Sequence, residues 1–540
     1  MPRLFSVFAR HYRIVVALLL LCSPTVYAQT AAKNAAAARA TPEQRAARAL
    51  EAARANPLDL HNFLARMPKG ADLHNHLSGA IYAETWIRDA AEDGLCVDLA
   101  SHSFAKPQAV ALSAPPQPVC GEGKVPAAKA FVDQNLYDAL IDAFSMRSFV
   151  PSAGVSGHDH FFDTFSKFSG TAARHSGELL HEVAARAASQ NEQYLELMET
   201  PDFSHSAQIA KEIGWRDDMS KLRTELLARG LRDDIAVARS GRDEAEASRR
   251  ARENCGEPQE SPACKITIRY LYQVLRGFPK EQVFAQTLLG FEVVSADPRF
   301  VGINYVMPED GATSMADYAL HMKIVGFLHG LYPKVHISLH AGELAPGLVT
   351  PEGLCCHVRL AVEEAHAERI GHGVDVMHED RPYDLLREMA GKHVMVEINL
   401  TSNDVILGVK DKEHPLPIYR KYHVPVALST DDEGVSRIDM THEYVRAVET
   451  YGLSYADLKQ MVRTGLEHNF LPGASLWLEP DNFTSVAAAC AQDTSSAAKP
   501  FRANPRGEPS AACAAFLKSN EKAQQQWELE RRFREFEGTF

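Results

Sequence analysis

The stretch ADLHNHLSGA, residues 71–80, places two histidines one residue apart in a short apolar run. If the run is a β-strand, His74 and His76 point to the same side, because side chains alternate between the two faces of a strand. The pair alone is weak evidence for a metal site, since a chain with 23 histidines in 540 residues contains about one His-x-His by chance. A second pair, His158 and His160, is indeed present, so ordinary surface or core histidines are the alternative explanation for both pairs.

Short runs rich in β-branched and aromatic residues recur after the first of these pairs, separated by segments with helical patterns. We predict eight strands, at residues 71–77, 194–200, 266–273, 300–306, 334–340, 368–373, 393–400 and 424–431. Strands that alternate with helix-length connections predict an α/β fold of the (β/α)8 (TIM) barrel type. The first two connections are long, so we expect insertions there, at the mouth or rim of the barrel. The second includes the charged stretch SRRARENCGEPQESPAC (248–264), which we expect to be a loop.

Polar residues concentrate at the C-terminal ends of the predicted strands, where reactive groups of such a barrel lie. His340 and Glu343 follow the fifth strand, His372 ends the sixth, and Asp431 and Asp432 end the eighth. Each has an ordinary alternative, as a core histidine, a loop carboxylate or a helix cap. Their joint occurrence at successive strand ends favours one common site.

The residue types at these strand ends indicate a metal-dependent hydrolase. One Zn²⁺ ion suits three imidazoles and one carboxylate, with a position left for water whose pKa the ion lowers. The candidate ligands are His74, His76, His340 and Asp431. His372 and Asp432 would accept or hold a proton, and Glu343 would act as a general acid. The second His-x-His pair follows PSAGVSG and lies on no predicted strand, so we expect it in a loop or at a helix start.

The composition is that of a globular protein, with 45% hydrophobic and 24% charged residues. A formal net charge of −13 argues against nucleic acid as a partner. Near the N-terminus, arginines precede the apolar run IVVALLLLC, and VYA ends at Ala28. We therefore predict a signal peptide at residues 1–28 and export of the mature chain to the periplasm or outside the cell, without membrane association after cleavage. An uncleaved membrane anchor is the alternative.

The mature chain divides into three parts. Residues 29–66 are predicted to be helical, residues 67–490 to form the barrel with its insertions, and residues 491–540 to form a linker followed by a helix.

The cysteines suggest disulfide bonds. Loss of Cys22 with the signal peptide leaves eight, an even number suited to an oxidising compartment. Cys355 and Cys356 are adjacent and are left unassigned. The spacing of the others suggests three local pairs, Cys96–Cys120, Cys255–Cys264 and Cys490–Cys513.

Four ordered segments resemble the signatures of the adenosine deaminase family, within the metal-dependent hydrolase superfamily. They are MPKGADLHNHLSGA (67–80), SLHAGE (338–343), RIGHGVD (369–375) and LSTDDEG (428–434). The resemblance runs from about residue 67 to residue 480. The signal peptide, insertions and extra cysteines are similar to the secreted branch, the adenosine deaminase-related growth factors. Because members of that branch are often dimers, a homodimer is expected by analogy.

The resemblance also implies a role for each candidate residue. The four candidate ligands would hold zinc, His372 would orient and deprotonate the attacking water, and Glu343 would protonate purine N1. Asp432 would bond to N7, and with His76 and Ser78 it would face the substrate. Hydroxide would add at C6, and ammonia would leave from the tetrahedral intermediate.

Two positions depart from the pattern of the family. Where the family usually has an aspartate that contacts the ribose, this chain has Ser78. The fourth-strand segment of the family usually ends in a glycine that bonds purine N3 through its backbone, whereas VGINYVMPED has Met307 and Pro308. The aromatic cluster FFDTFSKF (161–168) resembles the hydrophobic subsite of the family, although aromatic residues at helical spacing more often form core.

We therefore expect an exported zinc aminohydrolase that deaminates adenosine or 2′-deoxyadenosine, with a small purine nucleoside as its partner. Adenine, a nucleotide or a modified adenosine are alternative substrates, but a nucleotide would need a phosphate clamp, and no Gly-rich cradle or Arg cluster lies near the strand ends. A non-catalytic purine-binding or signalling protein is the third alternative. Glu343, His372 and Asp432 argue against it, because ligand binding alone does not require that trio.

Overall fold

The computed structural model describes residues 40–111, 117–171, 173–493 and 508–540. Its strands are β1 (Gly70–His76), β2 (Cys96–Asp98), β3 (Ser103–Ala105), β4 (Ala109–Ala111), β5 (Gln117–Val119), β6 (Lys124–Pro126), β7 (Glu192–Glu199), β8 (Thr267–Leu275), β9 (Phe300–Val306), β10 (His336–Ala341), β11 (Arg369–His372), β12 (Met395–Ile398), β13 (Val426–Leu428), β14 (Trp477–Glu479) and β15 (Asn482–Val486).

Eight of these strands form one parallel sheet in the order β1-β7-β8-β9-β10-β11-β12-β13. The ends of the sheet meet where Asn75 pairs with Asp431. There the backbone N–H of Asp431 donates to the His74 carbonyl at 2.8 Å, and the N–H of His76 donates to the Asp431 carbonyl at 3.0 Å. The sheet is thus closed, and the predicted (β/α)8 barrel is confirmed.

The last barrel strand is shorter than the predicted 424–431 and ends at Leu428. Asp431 lies beyond it with φ of +63°, a left-handed conformation that Asp tolerates better than most residues and that leaves the extended path of a strand. Asp431 therefore pairs with the first strand as an isolated bridge, which turns its side chain into the barrel mouth.

Each pair of consecutive barrel strands is joined through at least one helix. The helices are α1 (Pro42–Ala53), α2 (Pro57–Arg66), α3 (Ala83–Glu92), α4 (Gln134–Ala143), α5 (Gly157–Lys167), α6 (Ser176–Ser189), α7 (Ser204–Ile213), α8 (Met219–Ala228), α9 (Asp233–Arg252), α10 (Lys280–Ala296), α11 (Ala312–Leu331), α12 (His357–Glu363), α13 (Pro382–Lys392), α14 (Leu400–Leu407), α15 (Leu416–Lys421), α16 (Glu433–Ser436), α17 (Met440–Tyr451), α18 (Tyr455–Glu467), α19 (Ala511–Lys518) and α20 (Glu521–Glu537).

Both predicted insertions are present. The connection from β1 to β7 contains α3 to α6 and two small antiparallel sheets, β3-β2-β6 and β4-β5. The connection from β7 to β8 contains α7, α8 and α9. The prediction that residues 248–264 are a loop is wrong at its start, because α9 continues to Arg252 and an ion pair between Arg249 and Glu253, 3.6 Å apart, supports its last turn.

Both ends of the described chain pack near the barrel. Helices α1 and α2 lie within the region predicted to be helical, and α20 covers the predicted C-terminal helix, preceded by the unpredicted α19. Helix α20 pairs with α18 through Glu530 and Arg463, whose Nε lies 2.5 Å from a carboxylate oxygen. The predicted signal peptide and the residues that follow it up to 39, like most of the predicted linker (494–507), lie outside the described residues.

The three predicted disulfide pairs are formed, and Cys355 is paired with its neighbour Cys356. Among the described helices, none combines the length and the apolar character needed to cross a membrane.

Candidate metal centre and active site

The four predicted metal ligands meet at the C-terminal mouth of the barrel. Nε2 of His76 lies 3.2 Å from Nε2 of His340, at the end of β10. One carboxylate oxygen of Asp431 lies 3.4 Å from Nε2 of His74 and 3.3 Å from Nε2 of His76. All four side chains are buried. The structure therefore brings together residues of β1, β10 and the segment after β13, which are far apart in sequence.

Each of the three histidines has an oxygen acceptor at Nδ1, on the side of the ring that faces away from the place where the four side chains meet. The pairs are His74 with Glu397 at 2.6 Å, His76 with Gln273 at 2.9 Å and His340 with Asn304 at 2.7 Å. Carboxylate and amide oxygens only accept hydrogen bonds, so the hydrogen of each neutral imidazole is on Nδ1. Each Nε2 then directs a lone pair at the common point, as metal-bound histidines do.

The orientations of the two amides follow from their other partners. Nε2 of Gln273 donates at 3.2 Å to the Thr200 hydroxyl. That hydroxyl donates its own hydrogen to the backbone carbonyl of Gln273 at 3.0 Å, so it can only accept from the amide. Nδ2 of Asn304 donates at 3.3 Å to the Ser338 hydroxyl, which donates to Glu397 at 3.0 Å. Both amide oxygens are thereby turned toward the histidines.

This set of donor atoms suits a divalent cation. Nε2 of His74 is buried and has no hydrogen-bond partner among the described residues, which is costly unless a cation occupies the lone pair. Burial by itself would lower the pKa of His74, but the carboxylates of Asp431 and Glu397 outweigh it and raise the pKa to about 10, so that without a metal the ring would carry a second proton, at Nε2. A bound cation would replace that proton, and imidazole nitrogens with a carboxylate are ligands that zinc accepts.

A fourth imidazole, that of His372 at the end of β11, borders the cluster. Ligand atoms of His372, His74, His340 and Asp431 all lie within 4.8 Å of one another. Nε2 of His372 is 3.8 Å from a carboxylate oxygen of Asp431. Burial lowers the pKa of His372 to about 3, so the ring is neutral.

Glu343 lies beside the cluster, after a turn at Gly342. Gly342 has φ of +73°, and a Cβ there would fall 2.4 Å from an oxygen of Asp375, so the turn requires glycine. The Glu343 carboxyl group is buried, and burial, with the charges of Asp431 and Glu309, raises its pKa well above the usual range. This shift favours the protonated form of Glu343, which is able to donate a proton.

Asp432 is a second buried carboxyl group that holds a proton. Burial raises its pKa to about 8, with the charge of His76 opposing the shift and that of Asp431 adding to it. One oxygen of Asp432 has no hydrogen-bond partner among the described residues, which leaves it available to a ligand.

The backbone of Glu343 is held by Glu309, in the loop after β9. One Glu309 oxygen accepts from the N–H of Gly342 and the other from the N–H of Glu343, both at 2.9 Å. Nδ1 of His357 donates to the same carboxylate at 2.5 Å. Burial would raise the pKa of Glu309, but His357, Arg276 and the Glu343 N–H outweigh it and lower the pKa to about 2. An ionised, immobile carboxylate therefore positions the candidate acid.

A cavity of about 400 Å³ opens onto these groups. Its wall is largely apolar, and it includes three aromatic rings of α5, whose start is capped by Ser156. The lining residues are His76, Ser78, Phe161, Phe162, Phe165, Ser166, Gln273, Leu275, Val306, Met307, Pro308, His340, Glu343, Ile406, Asp431 and Asp432. Ser78, Met307 and part of the aromatic cluster thus lie where the sequence comparison expected them to matter. Met307 has φ of +83°, a conformation that favours glycine.

The second His-x-His pair lies apart from the cluster, at the start of α5, as expected from its sequence context. Nε2 of His158 pairs with Asp310 at 3.0 Å, and that of His160 with the Ser145 carbonyl at 3.1 Å.

The supporting residues were missed by the sequence analysis. They are Gln273, Asn304, Glu309 and Glu397. Asn304 and Glu397 are single polar residues within otherwise apolar strands, and that interruption was the available signal, whereas the strand of Gln273 also contains Thr267 and Arg269.

Comparison with known proteins finds related deaminases. The adenosine deaminase family model matches residues 159–475. An adenosine deaminase of Clostridium perfringens (strain SM101) is 30% identical over 181 residues, which are 33% of this chain and 51% of that protein. An adenosine deaminase of Escherichia coli O1:K1 / APEC is 37% identical over 137 residues, 25% of this chain and 38% of that protein. The chain thus spans about half or less of the length of these curated relatives.

One solved structure, the N6-mAMP deaminase MAPDA of Arabidopsis, is similar with a TM-score of 0.49 and 20% identity. The match covers 76% of this chain and 96% of that one.

Proposed function

The chain belongs to the adenosine deaminase family, and from this membership we propose that it is a zinc-dependent aminohydrolase. The proposed reaction is hydrolytic deamination of adenosine or 2′-deoxyadenosine to the corresponding inosine and ammonia. The observation that carries the proposal is the meeting of His74, His76, His340 and Asp431 at the base of a cavity that Glu343 also lines.

The residues of the site divide the work of the reaction. Zinc held by the three imidazoles and Asp431 supplies Lewis acidity, which lowers the pKa of water toward neutrality. Glu343 donates its proton to purine N1, which makes C6 electrophilic. The protonated Asp432 donates a hydrogen bond to N7, and neutral His372 orients the attacking oxygen. Water adds at C6, one of its protons returns to the Glu343 carboxylate, and the other passes to the amino group, so that the C6–N bond breaks, ammonia leaves, and Glu343 is protonated again.

The lining of the cavity favours a nucleoside over a nucleotide. None of the described residues that line it is Lys or Arg, whereas Glu343, Asp431 and Asp432 all contribute carboxyl groups. A phosphate dianion would therefore find no Lys or Arg partner among these side chains. Ser78 is an exposed hydroxyl at the wall, suited to a neutral sugar.

We expect purified protein loaded with zinc to deaminate adenosine and 2′-deoxyadenosine and to leave AMP almost untouched. Ultraviolet absorbance with adenosine, 2′-deoxyadenosine, adenine and AMP measures this directly. Turnover of adenine or AMP in preference to both nucleosides would overturn the assignment of the substrate, but the proposed deamination chemistry would stand. Purine binding without any turnover would favour the non-catalytic alternative.

Export is part of the same proposal. The N-terminal arginines, the apolar run and VYA at residues 26–28 support cleavage before Gln29, and the paired cysteines suit an oxidising compartment. We expect the mature protein to begin at Gln29 and to be absent from the cytoplasm. Cell fractionation with N-terminal sequencing measures both, and an intact Met1 in the cytoplasmic fraction would contradict export.

A further inference from the structure

His372 differs from the three candidate ligand histidines in what faces its Nδ1. Instead of an oxygen, Nδ2 of Asn403 lies there at 3.0 Å, and Nδ2 of Asn399 at 3.4 Å. The nearest carboxyl oxygen, that of Glu343, is 3.7 Å away, too far for a hydrogen bond. Whether this nitrogen donates or accepts therefore depends on which atom of the Asn403 amide faces it.

The orientation of Asn403 follows from groups of fixed polarity. The backbone N–H of Leu416 donates at 3.1 Å to Nδ1 of His414, and a backbone N–H only donates. Burial, with the charge of Arg446, lowers the pKa of His414 to about 3, so the ring is neutral and its hydrogen is on Nε2. That Nε2 lies 3.0 Å from Oδ1 of Asn403 and donates to it. The amide oxygen of Asn403 is thereby committed to His414, and its NH2 group faces His372.

We propose that this relay, from Leu416 through His414 and Asn403, holds His372 as the tautomer with its hydrogen on Nε2. Asn403 and His414 are then positioning residues that act through His372. All three side chains are buried, so water does not compete for these hydrogen bonds.

The tautomer determines what His372 can do. Nε2 of His372 has no hydrogen-bond acceptor among the described residues, so its N–H is free to donate to the attacking oxygen. A nitrogen that carries hydrogen has no lone pair for a metal, so this tautomer would leave His372 out of the ligand set although its ring belongs to the same cluster. It also cannot accept a proton at Nε2, which differs from the deprotonating role expected from the family resemblance. The kinetic consequence rests on the proposed function, whereas the tautomer does not.

The decisive variant is Asn403→Asp, which keeps the shape and supplies only acceptors. Nδ1 of His372 must then carry hydrogen, while His414 still donates to the new carboxylate. We expect neutron diffraction of zinc-loaded, deuterated protein to place deuterium on Nε2 alone in the wild type and on Nδ1 in the variant. We expect kcat for adenosine to fall about 100-fold, with KM and bound zinc little changed, because a wrong tautomer impairs proton and hydrogen-bond chemistry more than binding.

Asn469→Asp is the matched control. Asn469 is buried, its Nδ2 donates to the Leu466 carbonyl at 2.8 Å, and its Oδ1 accepts from the N–H of Leu471 at 2.9 Å, away from the cavity. We expect this control to lose stability and to keep both the wild-type tautomer and the wild-type kcat. If Asn403→Asp does not fold, His414→Phe frees the Asn403 amide to turn, and deuterium shared between both nitrogens of His372 is then expected.

Two results would overturn the proposal. Deuterium on Nδ1 and none on Nε2 in the wild type would show that the relay runs the other way. Full kcat in a folded Asn403→Asp protein would show that the tautomer does not matter. If the wild type deaminates no purine, the proposed function falls, and the neutron map still decides the tautomer.

Discussion

Removal of bound metal with a chelator is expected to abolish hydrolysis of adenosine, and one equivalent of zinc per chain is expected to restore it. Burial lowers the pKa of His372 to about 3 and raises that of Glu343, so neither group is basic enough to deprotonate water without a metal. With an oxygen acceptor at each Nδ1, the three imidazoles and Asp431 are suited to hold a cation through Nε2 and carboxylate oxygen. The measurement is the absorbance assay beside the zinc content of the same protein.

The two His-x-His pairs offer a matched test of the same prediction. His76→Asn removes an Nε2 that lies 3.2 Å from that of His340, and we expect loss of zinc and of activity. His160→Asn changes the same residue type at the start of α5, where it bonds to the Ser145 carbonyl, and we expect zinc and activity to remain. Full turnover in chelated protein, or equal zinc loss in both variants, would contradict the assignment of the metal centre.

Replacement of Glu343 by Gln is expected to lower kcat by about 100- to 10,000-fold, the usual contribution of a general acid. The amide keeps the shape of the side chain. The hydrogen bond from the backbone N–H of residue 343 to the Glu309 carboxylate, at 2.9 Å, is also kept. The amide cannot give a proton to purine N1. Because Glu343 is not a candidate ligand, we expect bound zinc and the affinity for the product inosine to stay near those of the wild type.

Glu379→Gln is the control for loss of a buried carboxyl group. Burial raises the pKa of Glu379 to about 7, and its oxygen accepts from the N–H of Val358 at 2.7 Å, outside the cavity lining. We expect this variant to keep its kcat. A Glu343→Gln enzyme with near-normal kcat would remove the acid role, and a matching loss in both variants would indicate a general structural effect.

The barrel was predictable because its strands are short runs with local signals. The prediction of 300–306 for the fourth barrel strand matches β9, and the others differ by only a few residues. The last strand is the exception, because the left-handed backbone of Asp431 depends on its pairing with Asn75, which is 356 residues away. The prediction placed residues 248–252 in a loop because of their high charge. In the structure they form the last turn of α9.

The fold class and the residues that meet at the mouth of the barrel could be predicted from the amino-acid sequence alone, because strand alternation and strand ends are local properties. The tautomer assigned to each histidine could not be predicted in this way. That choice depends on Glu397, Gln273, Asn304 and Asn403, which reach the imidazoles from other strands and from α14. A tautomer is set by the atom that faces the ring, and which atom faces the ring follows from closure of the barrel rather than from spacing along the chain.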